Sequence, residues 1–284
     1  MKADCHIHML LDGEYWKAAI DNHRNGPDAA LIRRRLQAYE AAGFTYLRDG
    51  GDRWGVGKAA RELAGEYGIT YKTPYANLCK AGRYGGFIGK TYENLKEYAA
   101  LVQEVRRGGG DFIKIMISGI MDFDHYGQLS EEGMDEALIS ELIRIAHEEG
   151  FSVMAHANGA RTVEAAAWAG LDSVEHGAYL DDAALDAMVQ NGTIWCPTFS
   201  AYGNLRGKGR FREEAVQAIC DSATENIRSF VKRGGILAPG SDAGAWAVPH
   251  VSGSLDEYRH LAIMLGESAQ DILDRGAKAV MDKF

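Results

Sequence analysis

Residues of the types that bind metal ions recur at the ends of apolar runs along the whole chain. His6 and His8 flank Ile7 near the N-terminus. In a β-strand, side chains at positions i and i+2 point to the same face, so both imidazoles could meet one ion. The later members of the set are Lys114, His156, His176 and Asp242. A lone His-x-His pair is weak evidence, whereas the full set predicts a metal centre and requires a fold that brings these run ends together.

Short strand-like runs alternate with longer helix-like segments along the 284 residues. The predicted strands are Asp4–Leu10, Thr45–Asp49, Thr70–Leu78, Phe112–Ser118, Ser152–Ala157, Ser173–Gly177, Thr193–Pro197 and Ile236–Ser241. Apolar residues at helical spacing predict helices over Asp28–Ala42, Val56–Tyr67, Tyr92–Arg107, Met134–Glu149, Ala160–Ala169, Asp181–Gln190, Glu213–Lys232 and Ser254–Leu265. Most of these helices run into a glycine, which is typical of a helix C-terminus.

This alternation predicts an α/β fold, and eight strands with eight helices suit a (β/α)8 TIM barrel. An open, doubly wound sheet could use the same alternation. The ligand-type residues belong to the first, fourth, fifth, sixth and eighth strands, and they can converge only if the sheet closes on itself. In such a barrel the active site lies at the carboxyl ends of the strands, where these residues fall. Since no linker, low-complexity tract or internal repeat divides the chain, we expect a single domain over residues 1–284.

Lys114 lies within a strand-like run that is otherwise apolar. Alternation turns Ile113, Ile115 and Ile117 toward the helices and Phe112 and Lys114 toward the barrel axis. An inward lysine without a partner would be costly or would lose its proton. A neutral amine can react with carbon dioxide to give a carbamate, which acts as a bridging carboxylate. For an arbitrary strand lysine a snorkelling or salt-bridged side chain is the commoner role, but the accompanying histidines favour the carbamate.

The other ligand-type residues have structural interpretations as well. His156 and His176 precede small residues that leave room for a ligand, although either one alone is more often a hydrogen-bonded core histidine. Asp242 could be a helix N-cap, but beside the histidines a metal ligand that also shuttles protons fits better. Glu175 is expected to face the helices and to form a structural ion pair.

Five further histidines lie outside this set. His23, His147 and His260 are predicted to lie on helical or loop surfaces. His125 and His250 lie in loops that follow the fourth and eighth strands, where either could touch a substrate.

The formal net charge of −9 argues against nucleic acid or an anionic membrane as a partner. Cys5, Cys79, Cys196 and Cys220 lie far apart without a CxxC pair, and no secretory signal is apparent, so we expect reduced thiols in a cytoplasmic protein. No apolar run reaches the length of a membrane span. These features favour a small-molecule substrate and leave open whether the chain forms a homo-oligomer.

The order His-x-His, Lys, His, His, Asp on successive strands resembles the amidohydrolase superfamily in its binuclear form with a carboxylated lysine. Residues 112–116 (Phe-Ile-Lys-Ile-Met), 155–157 (Ala-His-Ala) and 174–177 (Val-Glu-His-Gly) are similar to the branch that includes metal-dependent Xaa-Pro and Xaa-Arg/Lys dipeptidases and imidazolonepropionase. Members of that branch usually carry a small flanking β-sandwich. Here the His-x-His pair starts at His6 and 284 − 242 = 42 residues follow Asp242, so we expect the sandwich to be absent or vestigial.

The resemblance implies two divalent metal ions, zinc first, with manganese or iron as alternatives. One ion would be bound by His6, His8 and Asp242, the other by His156 and His176, and carboxylated Lys114 would bridge them. A hydroxide held between the ions would attack a carbonyl carbon, and Asp242 would carry its proton to the leaving nitrogen. We therefore expect a zinc amidohydrolase that cleaves a C–N amide bond of a small substrate such as a dipeptide or an N-acyl amino acid.

Two alternatives stay open: the same site could hydrolyse a lactone or a phosphoester, or the chain could be a non-catalytic metal-binding barrel. The complete ligand set favours catalysis. Specificity in such barrels comes from the strand-to-helix loops, which offer Arg83, Tyr84, His125 and Tyr202 as substrate-binding candidates. Arg83 is expected to bind a substrate carboxylate in a two-pronged geometry, although a solvated loop arginine explains the same residue equally well.

Overall fold

The computed structural model describes residues 2–284, and Met1, which the predicted domain includes, lies outside the described residues. Within this range the strands are β1 Lys2–Ile7, β2 Phe44–Asp49, β3 Thr70–Lys72, β4 Asn77–Lys80, β5 Lys90–Tyr92, β6 Ile113–Met116, β7 Val153–Ala157, β8 Ser173–His176 and β9 Ile194–Cys196. Strands β6 to β9 are buried along their whole length. Such burial on both faces is expected of apolar strands covered by helices in a parallel sheet.

The helices lie between and after the strands. They are α1 Trp16–Asp21, α2 Ala29–Ala41, α3 Val56–Ala64, α4 Leu95–Gly108, α5 Glu136–Glu148, α6 Ala160–Trp168, α7 Asp182–Asn191, α8 Ser200–Gly203, α9 Glu213–Lys232, α10 Ser252–Leu265 and α11 Ala269–Lys283. The side chains of Asp28, Asn94 and Asp181 accept backbone N–H groups and cap α2, α4 and α7. Gly192 follows α7 in the left-handed conformation, as predicted for a helix that ends at glycine.

All neighbouring strands pair in parallel, which confirms the predicted α/β class. They form a three-stranded sheet in the order β1-β2-β3 and a six-stranded sheet in the order β5-β4-β6-β7-β8-β9. The pairing therefore gives two sheets and not one closed ladder. A cluster of buried side chains draws on both sheets and includes Cys5, Tyr46, Phe112 and Met154. The two sheets thus face one another across a shared interior.

The predicted strand Thr70–Leu78 is divided into β3 and β4. Pro74 lies between them and has no N–H to donate, and Tyr75 has a left-handed φ of 68°. β3 pairs with β2, whereas β4 pairs with β6. This one segment therefore links the two sheets on one side of the interior.

The predicted strand Ile236–Ser241 is not a regular strand, because Pro239 cannot donate to a ladder. Its backbone nevertheless binds both neighbours. The N–H of Trp195 in β9 donates to the Ile236 carbonyl over 2.9 Å, and the N–H of Cys5 in β1 donates to the Pro239 carbonyl over 2.8 Å. The segment lies between β9 and β1 on the other side of the interior.

Four elements were not expected from the sequence: β5, α1, α8 and α11. Tyr92, predicted to begin a helix, ends β5, because Asn94 caps α4 two residues later. In α11, Ile272, Gly276 and Val280 recur at helical spacing and are buried, so a signal for this helix was present in the sequence. Among residues 2–284, no helix combines the length and the apolarity needed to cross a membrane.

Candidate metal centre and active-site cavity

A cavity of about 530 Å³ opens at the carboxyl ends of the strands. All six ligand-type residues predicted from the sequence line it. They are His6, His8, Lys114, His156, His176 and Asp242. The fold thus brings together side chains from β1, β6, β7, β8 and the segment that follows β9.

His6, His8 and Asp242 form the tightest group. The Nε2 atoms of the two histidines lie 3.4 Å apart, and Oδ1 of Asp242 lies 3.5 Å from the first and 3.3 Å from the second. One ligand atom from each residue lies within 4.8 Å of the others. Donors bound to one tetrahedral zinc ion at about 2.0–2.1 Å are separated by about 3.3 Å. The three side chains therefore have the spacing of a metal triad.

Asp4 holds the turn that presents Asp242. Its carboxylate accepts the backbone N–H of Ser241 over 3.0 Å and the Ser241 hydroxyl over 2.5 Å. Asp4 lies two residues before His6 on the same face of β1, as alternation requires. Asp242 itself has a left-handed φ of 61°. A non-glycine residue in this region is strained and is common at functional sites.

His176 lies beside His156, with ring centroids 4.5 Å apart, and 5.1 Å from the ring of His6. Along a regular strand His176 would point away from the face that Glu175 occupies. The φ of His176 is 71°, which breaks the alternation at the end of β8. Both neighbouring side chains are therefore buried inside the fold.

Glu175 was expected to face the helices, and this prediction is wrong. In the parallel register Glu175 is paired with His156, so both face the interior. Oε2 of Glu175 accepts a 2.7 Å hydrogen bond from Nδ1 of His6, and Oε1 accepts a 2.8 Å hydrogen bond from Nη2 of Arg48. The structural ion pair that was predicted does exist, but it lies under the ligand-type residues. Its side chains are fully buried.

Hydrogen bonds also fix the rings of the other two buried histidines of the ligand set. Nε2 of His156 lies 3.1 Å from the Gly119 carbonyl and donates to it, which leaves Nδ1 free. Nδ1 of His176 lies 2.7 Å from the Thr198 hydroxyl, which leaves Nε2 free. Outer hydrogen bonds of this kind orient the histidines of metal sites and select their tautomers.

Lys114 has no polar partner in the part of the chain that the structure describes. Its side chain is buried, and Nζ makes no hydrogen bond to any residue from 2 to 284. Burial lowers the pKa of the Lys114 amine to about 8, although the Glu175 carboxylate opposes this shift. A buried, unbonded donor is unfavourable by about 1–3 kcal/mol or more. The Lys114 nitrogen therefore lacks a bonding partner, and the cavity beside it has room for one.

Burial shifts the other titratable groups toward their neutral forms. The pKa of His8 and that of His156 fall to about 3, chiefly through burial and then through the nearby Lys114 cation. Burial raises the pKa of Asp242 to about 7, against the attraction of Lys114. Neutral imidazole is the form that binds metal ions. The donors are therefore chemically suited to divalent ions, and His6, His8 and Asp242 also have the spacing of one site.

The structure separates the four substrate-binding candidates. Tyr84 lines the cavity, and its ring lies 4.7 Å from that of His156. Arg83, His125 and Tyr202 are not among the described residues of the cavity wall. Arg83 pairs instead with Glu131 at 2.8 Å. The expected carboxylate contact at Arg83 thus gains no support from its placement.

The other two candidates are also held elsewhere. His125 is exposed and pairs with Asp122 at 2.9 Å. Tyr202 is buried and donates to the Pro197 carbonyl over 3.4 Å. A loop position after a strand indicates proximity to the site, but it does not determine which way a side chain turns.

The histidines outside the ligand set are partly as expected. His23 was predicted to lie on the surface, but it is fully buried, and its Nδ1 accepts the backbone N–H of Asp28. His250 is hydrogen-bonded to Tyr39 and to the Leu11 carbonyl and is not among the described wall residues. All four cysteines are buried and free, in line with the expected thiols.

Sequence reasoning left out most of the apolar wall. Seven aromatic side chains line the cavity together with the ligand-type residues: Tyr15, Trp16, Tyr84, Phe87, Phe123, Phe211 and Trp246. Phe87 packs edge-on against Trp16 at 5.3 Å, although the two are far apart in sequence. Loop aromatics were a signal for this wall, but only the tertiary structure shows which of them meet.

No protein-family model matches the chain. In sequence, the chain is 26% identical over 279 residues to ochratoxinase from Aspergillus niger, a match that takes in 84% of this chain and 56% of the ochratoxinase. The chain therefore spans little more than half the length of this relative. It is also 30% identical over 132 residues to an uncharacterized protein of Mycobacterium tuberculosis, which covers 46% of this chain and 35% of that protein.

Several solved structures have a similar fold. A Xaa-Pro dipeptidase with bound methionine in its active site matches with a TM-score of 0.79 at 22% identity, over 99% of this chain and 75% of that one. A. niger ochratoxinase matches with a TM-score of 0.75 at 19% identity, over 98% and 68%. A further structure described as an amidohydrolase gives 0.72 at 20% identity, over 94% and 70%. At these identities the likeness shows a shared fold.

Proposed function

We propose that the chain is a metal-dependent hydrolase that cleaves the C–N amide bond of a small substrate such as a dipeptide or an N-acyl amino acid. The observation that carries this proposal is the convergence of six ligand-type residues on one cavity around an unbonded, buried Lys114. The similar proteins include a dipeptidase and an amidohydrolase, and both names denote amide hydrolysis. The proposal extends this chemistry to the chain.

We also propose that the two sheets form a single (β/α)8 barrel in one domain over residues 1–284. Two segments support closure. Residues 70–80 pair with β2 at one end and with β6 at the other. Residues 236–239 bond to β9 and to β1. With residues 70–80 counted as one strand and residues 236–241 as another, eight strand segments line the shared interior. This number supports the barrel, because a (β/α)8 fold has eight strands.

We propose that the cavity holds two divalent ions and that both are zinc, because the ligand set is rich in nitrogen. His6, His8 and Asp242 would hold one, and His156 and His176 the other. Lys114 would bridge them as a carbamate, formed when the neutral amine adds to carbon dioxide, with a new N–C bond and release of one proton. When bound, the ions would supply an activated water and polarise the scissile carbonyl.

The residues of the chain would then orient the reactants and move one proton. Asp242, within 3.5 Å of both His6 and His8, would accept the proton of the attacking water at a carboxylate oxygen and deliver it to the leaving nitrogen. Glu175 would hold the His6 ring in place. The aromatic wall would exclude bulk water and contact the apolar part of the substrate.

A hydrolysis panel with metal analysis tests this proposal. We expect the protein, loaded with zinc in bicarbonate buffer, to hold about two ions per chain and to cleave dipeptides or N-acyl amino acids. Asp242→Asn should lower kcat about a hundredfold or more, whereas Asp271→Asn, an exposed position on α11, should not change it.

The same panel contains lactones and phosphoesters. Turnover of those compounds alone would replace amide hydrolysis with a different reaction at the same site. Bound metal without turnover of any class would favour the non-catalytic barrel.

A further inference from the structure

The basic groups of the cavity wall are unevenly placed. Within the described residues the wall contains two side chains of the lysine or arginine type, Lys114 and Arg210. Lys114 is buried among the ligand-type residues, whereas Arg210 is exposed. A substrate that enters from solvent therefore meets the Arg210 guanidinium as the cation of the outer wall.

The Arg210 guanidinium packs on a group of aromatic rings formed by Trp246, Phe211 and Phe123, here called the aromatic shelf. Its Cζ lies 4.3 Å from the ring centroid of Trp246 and 5.3 Å from that of Phe211. The two rings meet nearly at right angles, with centroids 6.1 Å apart, and Phe123 extends the shelf 5.1 Å beyond Phe211. A guanidinium group stacks favourably on aromatic faces. A stacked group already has few conformations, so it loses less conformational entropy when it binds an anion.

Arg210 has no acidic partner in residues 2–284, since no carboxylate oxygen lies within 4.0 Å of it. The contrast with Arg83 is direct, because that guanidinium is already paired with Glu131. A planar cation that faces a cavity without a counter-ion can accept a carboxylate in a two-pronged hydrogen bond. Arg210 therefore has the binding capacity that was expected of Arg83.

The loops that carry this shelf are tied to their surroundings. The backbone N–H of Arg212 donates to Oδ1 of Asp124 over 2.8 Å. On the other side, the amide of Asn204 donates to the Ala247 carbonyl over 3.1 Å, next to Trp246. These bonds tie the backbone beside Phe211 and beside Trp246 to neighbouring loops, so the two rings on which Arg210 stacks are held at their base.

We propose that Arg210, stacked on Trp246 and Phe211, binds the carboxylate of the substrate and that the shelf contacts a large apolar or aromatic side chain on the same residue. This inference rests on the proposed amide hydrolysis and names the part of the substrate that the outer wall recognises. It selects substrates whose leaving amino acid ends in a free carboxylate.

The test uses two probes that have no amide bond to hydrolyse, L-phenylalanine and L-phenylalaninol, and the second has a neutral hydroxymethyl group in place of the carboxylate. Their Kd values are measured by calorimetry with the zinc-loaded wild-type protein. We expect the carboxylate to bind at least about tenfold more tightly than the alcohol, as a charge-assisted, two-pronged contact provides. Arg210→Gln should bring the ratio close to one, and Arg210→Lys should leave an intermediate ratio because the fork geometry is lost.

Lys208→Gln is the matched control, since it removes one positive charge from the same exposed loop without touching the cavity wall. Its ratio should equal that of the wild type. Equal binding of the two probes by the wild type, no binding of either, or a ratio unchanged in Arg210→Gln would overturn the proposal. Because binding is read without turnover, a protein that discriminates the probes but hydrolyses no amide would refute the proposed function and leave Arg210 as a carboxylate site.

Discussion

The Nδ1–H of His6 donates a 2.7 Å hydrogen bond to Oε2 of Glu175, and both side chains are fully buried. The other carboxylate oxygen of Glu175 accepts Nη2 of Arg48 over 2.8 Å. This pairing leaves Nε2 of His6 facing His8 and Asp242. A buried ion pair thus selects the tautomer of the first ligand-type histidine, which links the packing of the interior to the chemistry of the cavity.

Glu175→Gln should weaken metal binding while the protein stays folded. Glutamine keeps the size of the side chain but removes the negative charge that holds the His6 ring. Loss of such an outer partner typically lowers metal affinity about 10- to 100-fold. Zinc competition with a chelator, followed by elemental analysis, measures the change. Glu225→Gln, an exposed position on α9, is the control and should keep the wild-type affinity. Unchanged zinc affinity in Glu175→Gln would show that the hydrogen bond has no part in ligand orientation.

Lys114→Ala should lose at least one of two bound ions and most hydrolytic activity, because no carbamate can form. Acetate should restore part of the activity by occupying the bridging position. Lys114→Arg should not restore it, since a guanidinium is a fixed cation where an anion is required. Elemental analysis and hydrolysis rates with and without acetate measure these effects.

Lys58→Ala is the control for that series, since Lys58 is an exposed lysine on α3. It should retain both ions and full activity. A normal metal content in Lys114→Ala would refute the bridging role, whatever the activity of that variant.

Local sequence signals were enough to predict the inner part of the candidate site. Alternation on β1 placed His6 and His8 on one face, and alternation on β6 placed Lys114 in the interior, because one strand determines each of these relations. Alternation could not place Glu175 and His176 together. Both face inward because His176 has a left-handed φ, which is a consequence of the tertiary structure.

The parts that could not be predicted depend on several elements at once. The strand over residues 70–78 breaks at Pro74, and the segment at 236–241 is irregular around Pro239, although apolar content favoured strands at both. Loop side chains were harder still. Arg83 and Arg210 both lie in loops at the carboxyl ends of strands, and only the position of Glu131 shows which of the two is already paired.

Gly276→Ala should destabilise the contact between α11 and the segment that follows β9. A Cβ at Gly276 would lie 1.8 Å from the backbone oxygen of Leu237. Since backbone cannot move aside as a flexible side chain can, we expect a loss of about 2–3 kcal/mol and a fall in Tm of about 5 °C or more. Calorimetry measures the shift.

Gly65→Ala is the matched control for Gly276→Ala. Gly65 has a φ of −59°, and a Cβ added there would have no neighbouring atom within 4 Å. Alanine should therefore leave Tm unchanged or raise it slightly. Equal Tm values for Gly276→Ala and the wild type would mean that α11 does not pack closely on the segment.

The carboxylate of Asp172 joins three parts of the structure, since it contacts α5, β7 and α11. Burial raises the pKa of Asp172, but hydrogen bonds from His147, Lys283 and the Val153 N–H outweigh it and hold the pKa below its usual value. A carboxyl group with a lowered folded pKa stabilises the protein above its unfolded pKa of about 3.9, and this contribution is lost as the pH falls through the folded pKa.

Asp172→Asn should therefore lower the free energy of unfolding by about 1–3 kcal/mol at pH 7. The difference from the wild type should stay constant from pH 7 to about 5 and shrink below about pH 4, as measured by urea unfolding at each pH. A difference that does not depend on pH over this range would show that Asp172 acts through its shape and neutral hydrogen bonds and not through its charge.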